Sequence, residues 1–222
     1  KAYGNRITVI ENKENLGGSG GFNTGLRIVR DKGYSYFMCL DDDAAVDENA
    51  LSVLYHYMEE HTDTGMAGCR VYHTQMPDYI QQSGLLIDFD NCTAKTIGAD
   101  MPEDGSLPDG IECDTVATCA VMVRADTVKQ KGVGIMPEDN FIYWDDMEWG
   151  YRIKLAGYRV VTLAEAKALH QMGANTKKEN TFINYYMWRN RTNFFMRFTP
   201  EAQMEAMSVK VLGAVFDAMY ES

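Results

Sequence analysis

The chain has 222 residues, of which 45% are hydrophobic and 24% are charged, a composition typical of a globular domain able to bury one substantial core. Its formal net charge of −11 and the lack of any Lys/Arg cluster argue against a protein that binds nucleic acid through phosphates. An acidic nucleotide substrate would therefore need a local helper, and a divalent cation is the obvious one.

The cysteines and the apolar runs exclude several further classes. The five cysteines form no CxxC pair and have no histidine at zinc-ligand spacing, so neither a structural zinc site nor a disulfide framework is predicted. Reduced thiols fit a cytoplasmic compartment. No apolar run approaches the ~20 residues needed to cross a bilayer, and no signal peptide opens the sequence. Because the sequence begins at Lys1 and a strand is predicted almost at once, we expect an excised fragment.

The first elements predict a strand–loop–helix unit. Residues 6–10 are typical of a short buried strand, and residues 22–32 of a helix. Between them, residues 15–21 contain four glycines, whose backbone N–H groups are unobstructed. A phosphate or an oxyanion is favoured at such a helix N-terminus, although a flexible turn that allows close packing explains the glycines equally well.

A second strand is predicted at residues 36–40, and its apolar composition favours a parallel strand covered on both faces. It runs directly into Asp41, Asp42 and Asp43, at the end of the strand where open α/β sheets gather ligands. Adjacent carboxylates repel one another and are not buried cheaply, so a metal ion would resolve the conflict. The alternative is a solvated turn rich in aspartate.

The remaining elements alternate in the same way. They are, in chain order, a helix at residues 47–61, irregular strands and a long loop at 69–112, a strand at 115–124, a short helix at 126–131, a helix at 148–156, a strand at 158–163, and two helices from Thr181 onward.

Three acids lie within four residues in the segment 144–148, which reads Trp-Asp-Asp-Met-Glu. Partial desolvation between aromatic side chains would raise the pKa of at least one carboxyl and make it a base near neutral pH. An acidic helix start stabilised by the helix dipole is the simpler explanation. We assign that structural role to Asp145 and the catalytic role to Asp146.

Two other features bear on the site. A lone histidine is more often structural than functional, but the nearby acidic clusters favour His170, just past a predicted strand, as a third metal ligand. The aromatic run at residues 185–191 is typical of a helix face packed on the core, whereas Arg189 and Arg191 are candidates for contacts to a phosphate or an acceptor.

The joint order of these motifs, N-L-G-G-S-G-G-F, D-D-D, W-D-D-M-E-W-G-Y-R and then an isolated histidine, resembles family 2 glycosyltransferases. The likeness is greatest to the galactofuranosyltransferase and rhamnosyltransferase-like branch and covers residues 7–190. It implies a GT-A-like α/β fold with a mostly parallel central sheet. It also implies an inverting, metal-dependent enzyme that moves a sugar from a nucleotide diphosphate to a hydroxyl of a glycan or lipid-linked glycan, as in polysaccharide and cell-wall biosynthesis.

The resemblance also implies roles for individual residues. These are a Mn²⁺ or Mg²⁺ site at Asp41, Asp43 and His170, a catalytic base at Asp146, donor contacts at Asn15, Gly17, Gly18 and Asp42, and acceptor contacts at Trp144, Asp145, Glu148 and Trp149.

Similar proteins begin with an additional strand and helix that hold the nucleotide base, and nothing before Arg6 supplies them. We therefore expect an N-terminally truncated catalytic domain over residues 1–180, followed by a helical extension over residues 181–222. The expected location is the cytoplasm, at the inner face of the plasma membrane, with residues 185–198 and the last helix presenting an apolar face to lipid. No nucleic acid partner is expected.

Three other functions compete with this one. A sugar-nucleotide pyrophosphorylase would need a basic glycine-rich loop, and residues 15–22 contain no Lys or Arg. A non-catalytic carbohydrate-binding or scaffolding domain would carry the acids only as surface features. A glycoside hydrolase could pair Asp43 with Asp146, but adjacent acids suit a metal better.

Overall fold

Alternating helices and strands give the chain a mixed α/β architecture in a computed structural model that describes residues 6–171 and 181–220. The helices are α1 (Gly17–Asp31), α2 (Ala50–Glu60), α3 (Asp145–Leu155), α4 (Thr181–Phe198) and α5 (Met204–Tyr220). The strands are β1 (Tyr36–Leu40), β2 (Ala44–Val46), β3 (Thr64–His73), β4 (Met76–Gln82), β5 (Leu85–Asp88), β6 (Thr93–Thr96), β7 (Met101–Pro102), β8 (Gly110–Glu112), β9 (Ala120–Arg124) and β10 (Arg159–His170).

Eight strands form one large sheet, in which β1, β9, β3, β10 and β2 are neighbours in that order. β3 and β10 run parallel, whereas β1 with β9, β9 with β3, and β10 with β2 are antiparallel pairs. The sheet is therefore mixed, and the prediction that it is mostly parallel is wrong. The apolar composition of a strand such as β1 reports its burial and carries no information about the direction of its partner.

Helices cover both faces of the sheet because successive side chains of a strand point to opposite sides. Met66 of β3 packs in the cluster that contains Leu26 of α1 and Trp149 of α3. The next residue, Ala67, packs in the cluster that contains Leu54 of α2. The predicted α/β layering is confirmed, with α1 and α3 on one face and α2 on the other.

The C-terminal helices pack beside the start of α3. Phe194 and Phe195 of α4 join Met207 of α5, Cys92 of the β5–β6 hairpin and Trp144 in a third apolar cluster. The division of the chain near residue 180 stays a prediction. None of the helices within residues 6–171 and 181–220 combines the length and the apolarity that a membrane crossing requires.

The N-terminal predictions need correction. Residues 6–10 form no strand, and Ile7, Val9 and Ile10 are exposed. A short segment gains ladder hydrogen bonds only beside a partner strand, and none of the described strands pairs with it. Helix α1 begins at Gly17, inside the glycine-dense segment, where an added Cβ would lie 2.1 Å from the Phe141 carbonyl oxygen at Gly17 and 2.5 Å from Leu16 Cβ at Gly20, so packing requires glycine there despite its low helix propensity.

Two later boundaries also differ from prediction. β10 continues to His170 instead of ending at residue 163, because its second half pairs with both β3 and β2. α3 begins at Asp145 instead of residue 148. The longer strand therefore ends at His170, and the longer helix begins with Asp145 and Asp146.

Gly150→Ala should destabilise the fold. A Cβ at this position of α3 would lie 2.2 Å from Thr115 Oγ1 and 2.9 Å from its Cα, so backbone would have to move. Overpacking of this kind costs about 1–3 kcal/mol, measurable as a lower free energy of unfolding in urea. The matched control is Gly21→Ala in α1, where no heavy atom lies within 4 Å of the added Cβ and where alanine should stabilise the helix by about 0.5–1 kcal/mol. Equal effects of the two changes would contradict the packing argument.

Candidate active site

Strand register brings Asp41, Asp43 and His170 together. β1 runs into the aspartate triplet, which turns into β2, and β2 pairs antiparallel with the end of β10 so that Ala44 lies opposite His170. The Gln171 N–H also donates to the Asp43 carbonyl oxygen, at 3.1 Å. As a result, His170 Nε2 lies 3.3 Å from Asp43 Oδ1 and 3.9 Å from Asp41 Oδ2.

The hydrogen bonding of His170 suits a cation. Gln81 Oε1 lies 2.7 Å from His170 Nδ1, and since a carbonyl oxygen only accepts, Nδ1 carries a proton. In the neutral ring, Nε2 then directs its lone pair at the carboxylates of Asp41 and Asp43, which is repulsive unless positive charge lies between them. The ligand atoms of these three residues all lie within 4.8 Å of one another, and carboxylates with imidazole are a donor set that suits Mn²⁺. The residues present therefore fit a divalent metal ion.

A cavity of about 1060 Å³ joins these three residues to the acids at the start of α3. Several elements contribute to its walls. They are the aspartate triplet with His170, the first turns of α1 (Gly18, Phe22), the β5–β6 hairpin (Leu85, Thr93, Ala94, Thr96), residues 142–147, and α4 (Ile183, Asn184, Met187, Trp188, Arg191).

Asp145 and Asp146 are the first two residues of α3 and are half-buried in the cavity wall. Burial raises the pKa of Asp145 to about 6. Burial, and then repulsion from Asp145, raise the pKa of Asp146 to about 7. The residue at the N-cap position is Trp144, and Asp145 lies in the acidic first turn of α3. Both acids face the space that a substrate would fill.

The backbone that leads into α3 is strained. Phe141, Tyr143 and Trp144 have φ angles of 64°, 64° and 62°, in the left-handed region. This conformation costs a residue other than glycine roughly 1–3 kcal/mol and persists only where the surroundings determine the backbone. The sequence carries no signal for this strain, because none of the three positions is a glycine.

The glycine-dense segment forms one wall of the cavity through Gly18. Gly17 adopts a φ of +71°, and a Cβ there would lie 2.1 Å from the Phe141 carbonyl oxygen, so the close approach requires glycine. The Asn15 side chain accepts a hydrogen bond from the Gly17 N–H at 3.0 Å and is otherwise exposed. Of the four predicted donor contacts, Gly18 and Asp42 line the cavity, whereas Asn15 and Gly17 shape the turn beside it.

Two of the four predicted acceptor contacts, Glu148 and Trp149, are enclosed by protein. Trp144 and Asp145 line the cavity. Glu148 is fully buried in an ion pair with Arg197 at 2.7 Å, and Trp149 is fully buried with its indole N–H bonded to a backbone carbonyl. These two side chains lie three and four residues after Asp145, on the same face of α3 but one turn further along the helix, where the surrounding protein encloses them. The prediction that Glu148 and Trp149 border an acceptor is therefore wrong.

Helix α4 supplies a cavity wall that the sequence did not assign. Of the two candidate arginines, Arg191 lines the cavity, with its guanidinium 4.8 Å from the Trp188 ring centroid. Arg189 instead donates to the backbone carbonyls of Asp139 and Asn140. The spacing of the α4 wall residues was visible as a helical period, but which face meets the cavity depends on how α4 packs.

The fold is that of a known class of enzyme. The crystal structure of GalNAc-T7 with UDP, GalNAc and Mn²⁺ matches with a TM-score of 0.65 at 11% sequence identity, over 87% of this chain and 37% of that chain. A likeness at this identity shows the fold alone. The chain has a GT-A glycosyltransferase fold, and this prediction is confirmed.

Sequence comparison identifies the family. Residues 1–126 match the family model described as "Glycosyl transferase family 2". Galactofuranosyltransferase GlfT2 from Mycolicibacterium smegmatis (strain ATCC 700084 / mc(2)155) is 23% identical over 204 residues, which cover 85% of this chain and 31% of that protein. The chain belongs to glycosyl transferase family 2, as its motifs predicted. It spans about a third of the length of each of these two relatives.

Gln81→Leu should weaken Mn²⁺ binding about 10–100-fold, because His170 loses the acceptor that orients its ring with Nε2 towards Asp41 and Asp43. Calorimetric titration with Mn²⁺ measures the effect without any substrate. Gln171→Leu is the control, since that side chain is exposed immediately beyond His170. An unchanged Kd in the Gln81 variant would contradict the assigned hydrogen bonding of the imidazole.

Asp146→Asn should stabilise the metal-free protein more at pH 8 than at pH 5. The pKa of Asp146 is about 7 in the folded protein, above its value in an unfolded chain, so ionisation opposes folding and stability falls as pH rises through this interval. The expected gain at pH 8 is roughly 1–3 kcal/mol, measured by urea unfolding with a chelator present. Asp63→Asn, at an exposed carboxylate, controls for the change of net charge. A gain that is equal at both pH values would count against this explanation.

Proposed function

We propose that this chain carries the transfer site of an inverting, divalent-metal-dependent glycosyltransferase. It would move a sugar from a nucleotide diphosphate to a hydroxyl of a glycan or lipid-linked glycan. The observation that carries the proposal is that the Asp41–Asp43–His170 cluster and the Asp145–Asp146 pair line one cavity. Its volume of about 1060 Å³ suits a nucleotide sugar together with the end of an acceptor.

The leaving-group side of the reaction belongs to Asp41, Asp43 and His170. When bound there, Mn²⁺ or Mg²⁺ would neutralise charge that develops on the departing diphosphate. Gln81 holds the imidazole so that Nε2 faces both carboxylates. The GalNAc-T7 structure, whose fold this chain shares, contains UDP and Mn²⁺, which supports a uridine nucleotide and Mn²⁺ as the first ligands to test.

Asp146 is the proposed general base. A carboxyl with a pKa of about 7 is partly ionised at neutral pH, yet it has a higher affinity for a proton than an ordinary aspartate. It would accept the proton of the acceptor hydroxyl as that oxygen forms a bond to the anomeric carbon and the bond to the diphosphate breaks. A single in-line displacement inverts the anomeric configuration.

The remaining cavity residues are proposed substrate contacts. Gly18 and Asp42 lie on the donor side, whereas Trp144 and Asp145 border the acceptor. The name of the GlfT2 relative supports a galactofuranosyl donor, and the motifs favour a rhamnosyl donor as the second candidate. A cytoplasmic, peripheral position at the plasma membrane stays a proposal, supported by exposed apolar side chains on α4 and α5 such as Tyr185 and Phe216.

The test is a screen for Mn²⁺-dependent release of nucleoside diphosphate. UDP-galactofuranose, dTDP-rhamnose and the common UDP-hexoses would each be offered with a mixture of alkyl glycosides, with a chelator as the blank. Turnover that requires the metal and gives a product of inverted configuration is the expected result. Glycan binding without metal or turnover would instead favour the non-catalytic carbohydrate-binding domain.

Asp146→Asn and Asp43→Ala should fail in different ways. Loss of the base should lower kcat about 10²–10⁴-fold while donor affinity stays nearly unchanged. Asp43→Ala should weaken metal-dependent binding of the nucleotide, measured by calorimetry with Mn²⁺ and UDP. Asp126→Asn, at an exposed carboxylate paired with Lys129, is the control. Wild-type turnover in Asp146→Asn would remove the proposed base, and unchanged nucleotide affinity in Asp43→Ala would remove the metal assignment.

A further inference from the structure

We propose that Asn190, on α4, is a positioning residue that holds the strained loop at residues 140–144 and thereby orients Asp146 towards the acceptor. The inference rests on the proposed function of the cavity. This role would make α4 a part of the reaction site, although the Asn190 side chain hydrogen-bonds to the loop and to Arg189 and not to Asp41, Asp43 or His170.

Asn190 binds the loop through several main-chain groups at once. Its side chain is fully buried, and Nδ2 lies 2.8 Å from each of the carbonyl oxygens of Asn140, Ile142 and Tyr143. The Oδ1 atom accepts a hydrogen bond from Arg189 Nε, also at 2.8 Å, which fixes the orientation of the amide. One primary amide therefore faces three backbone acceptors of a single short segment, with its two hydrogens directed at them.

The other carbonyl groups of the loop are bound by other donors. Ser19 of α1 donates from its N–H and its hydroxyl to the Phe141 carbonyl oxygen, at 3.3 and 3.2 Å. The Asn140 side-chain amide donates to the Trp144 carbonyl oxygen at 3.2 Å. Asn190 binds the other three carbonyl groups, so every carbonyl from residue 140 to residue 144 accepts a hydrogen bond. These hydrogen bonds explain how the left-handed backbone is maintained.

The loop matters for the reaction because it ends where α3 begins. Trp144 is the last residue of the loop and has a positive φ, and Asp145 and Asp146 follow it directly. If Asn190 no longer bound the carbonyls, the left-handed residues could relax, and the direction of the first turn of α3 would change with them. A displacement of about 1 Å at a reacting group can cost about 10²-fold in rate.

The positions of Asp41, Asp43 and His170 should not change when the loop relaxes. Asp41 and Asp43 lie between β1 and β2, and His170 ends β10, so their positions depend on strand pairing. A role of Asn190 in positioning the base thus predicts a loss in kcat with metal and donor affinity retained. A general loss of folding would lower the active fraction and would disturb both.

Asn190→Asp keeps the side-chain shape but replaces the donating amide with a carboxylate that faces three carbonyl oxygens. We expect kcat to fall about 100-fold, with the Kd for Mn²⁺ and the KM for the active donor of the screen within about twofold of wild type. Asn193→Asp is the matched control on the same helix. Within the described part of the chain its side chain makes no hydrogen bond to residues 140–144, so its kcat should change less than about twofold.

A double-mutant cycle separates positioning from plain stability. In the Asp146→Asn background, Asn190→Asp should cost less than about threefold in kcat, because it acts through a base that is already absent. If the two losses instead multiply, the inference is overturned. Amide hydrogen exchange should become faster at residues 140–146 and stay slow in β3 and β10, and unchanged exchange in the loop would overturn it equally.

Asn190→Ser is a second variant that tests the same inference, and it is needed if Asn190→Asp does not fold. A hydroxyl retains one donor, so the kcat of Asn190→Ser should lie between the values of the wild type and of Asn190→Asp. If Asn190→Asp does not fold, the kcat of Asn190→Ser should be at least threefold below that of the wild type. Normal kcat in this variant would reject the inference. Absence of metal-dependent turnover in the wild-type chain with every donor would reject the proposed function first, and the role of Asn190 with it.

Discussion

Repulsion among carboxylates is the constraint on which the rest of this structure depends. Five aspartates line one cavity, and among the described lining residues Arg191 is the only lysine or arginine. Burial raises the pKa values of Asp41, Asp145 and Asp146, which shows that the cavity does not solvate their charge as water would. A divalent cation bound at Asp41, Asp43 and His170 would relieve the repulsion on one wall, and the proposed proton transfer to Asp146 would relieve it on the other.

The two walls are built by different means. The metal-ligand candidates are held by strand pairing, since the register of β2 with β10 places Ala44 opposite His170. The paired acids are held by a strained loop whose carbonyl oxygens are bound by α1 and α4. A sheet edge provides fixed ligand positions, whereas a hydrogen-bonded loop can direct a helix start at an angle that regular structure would not produce.

The tryptophan-flanked acidic motif divides between the cavity and the interior. Asp145 and Asp146 line the cavity, but Glu148 is buried and pairs with Arg152 and Arg197. Burying a carboxylate is costly unless it is paired and hydrogen-bonded, and here the partners come from both α3 and α4. Glu148 therefore joins the C-terminal helices to the site by charge, in parallel with the apolar packing of Trp144 on Phe194.

The sequence by itself determined the family, the α/β class and the residues with unusual chemistry. Asp41, Asp43, Asp146 and His170 could be chosen because adjacent acids after a buried strand and a lone imidazole are recognisable without coordinates. Local patterns also predicted most helices, since periodicity is a property of neighbouring residues.

Only the tertiary structure decided strand direction, the burial of Glu148 and Trp149, and the participation of α4. These depend on register and on contacts between residues far apart in the chain, as in the hydrogen bonds of Asn190 to the loop near residue 140. No local pattern encodes such a contact, because the free energy that selects it is gained only when the distant partners have already been brought together by packing.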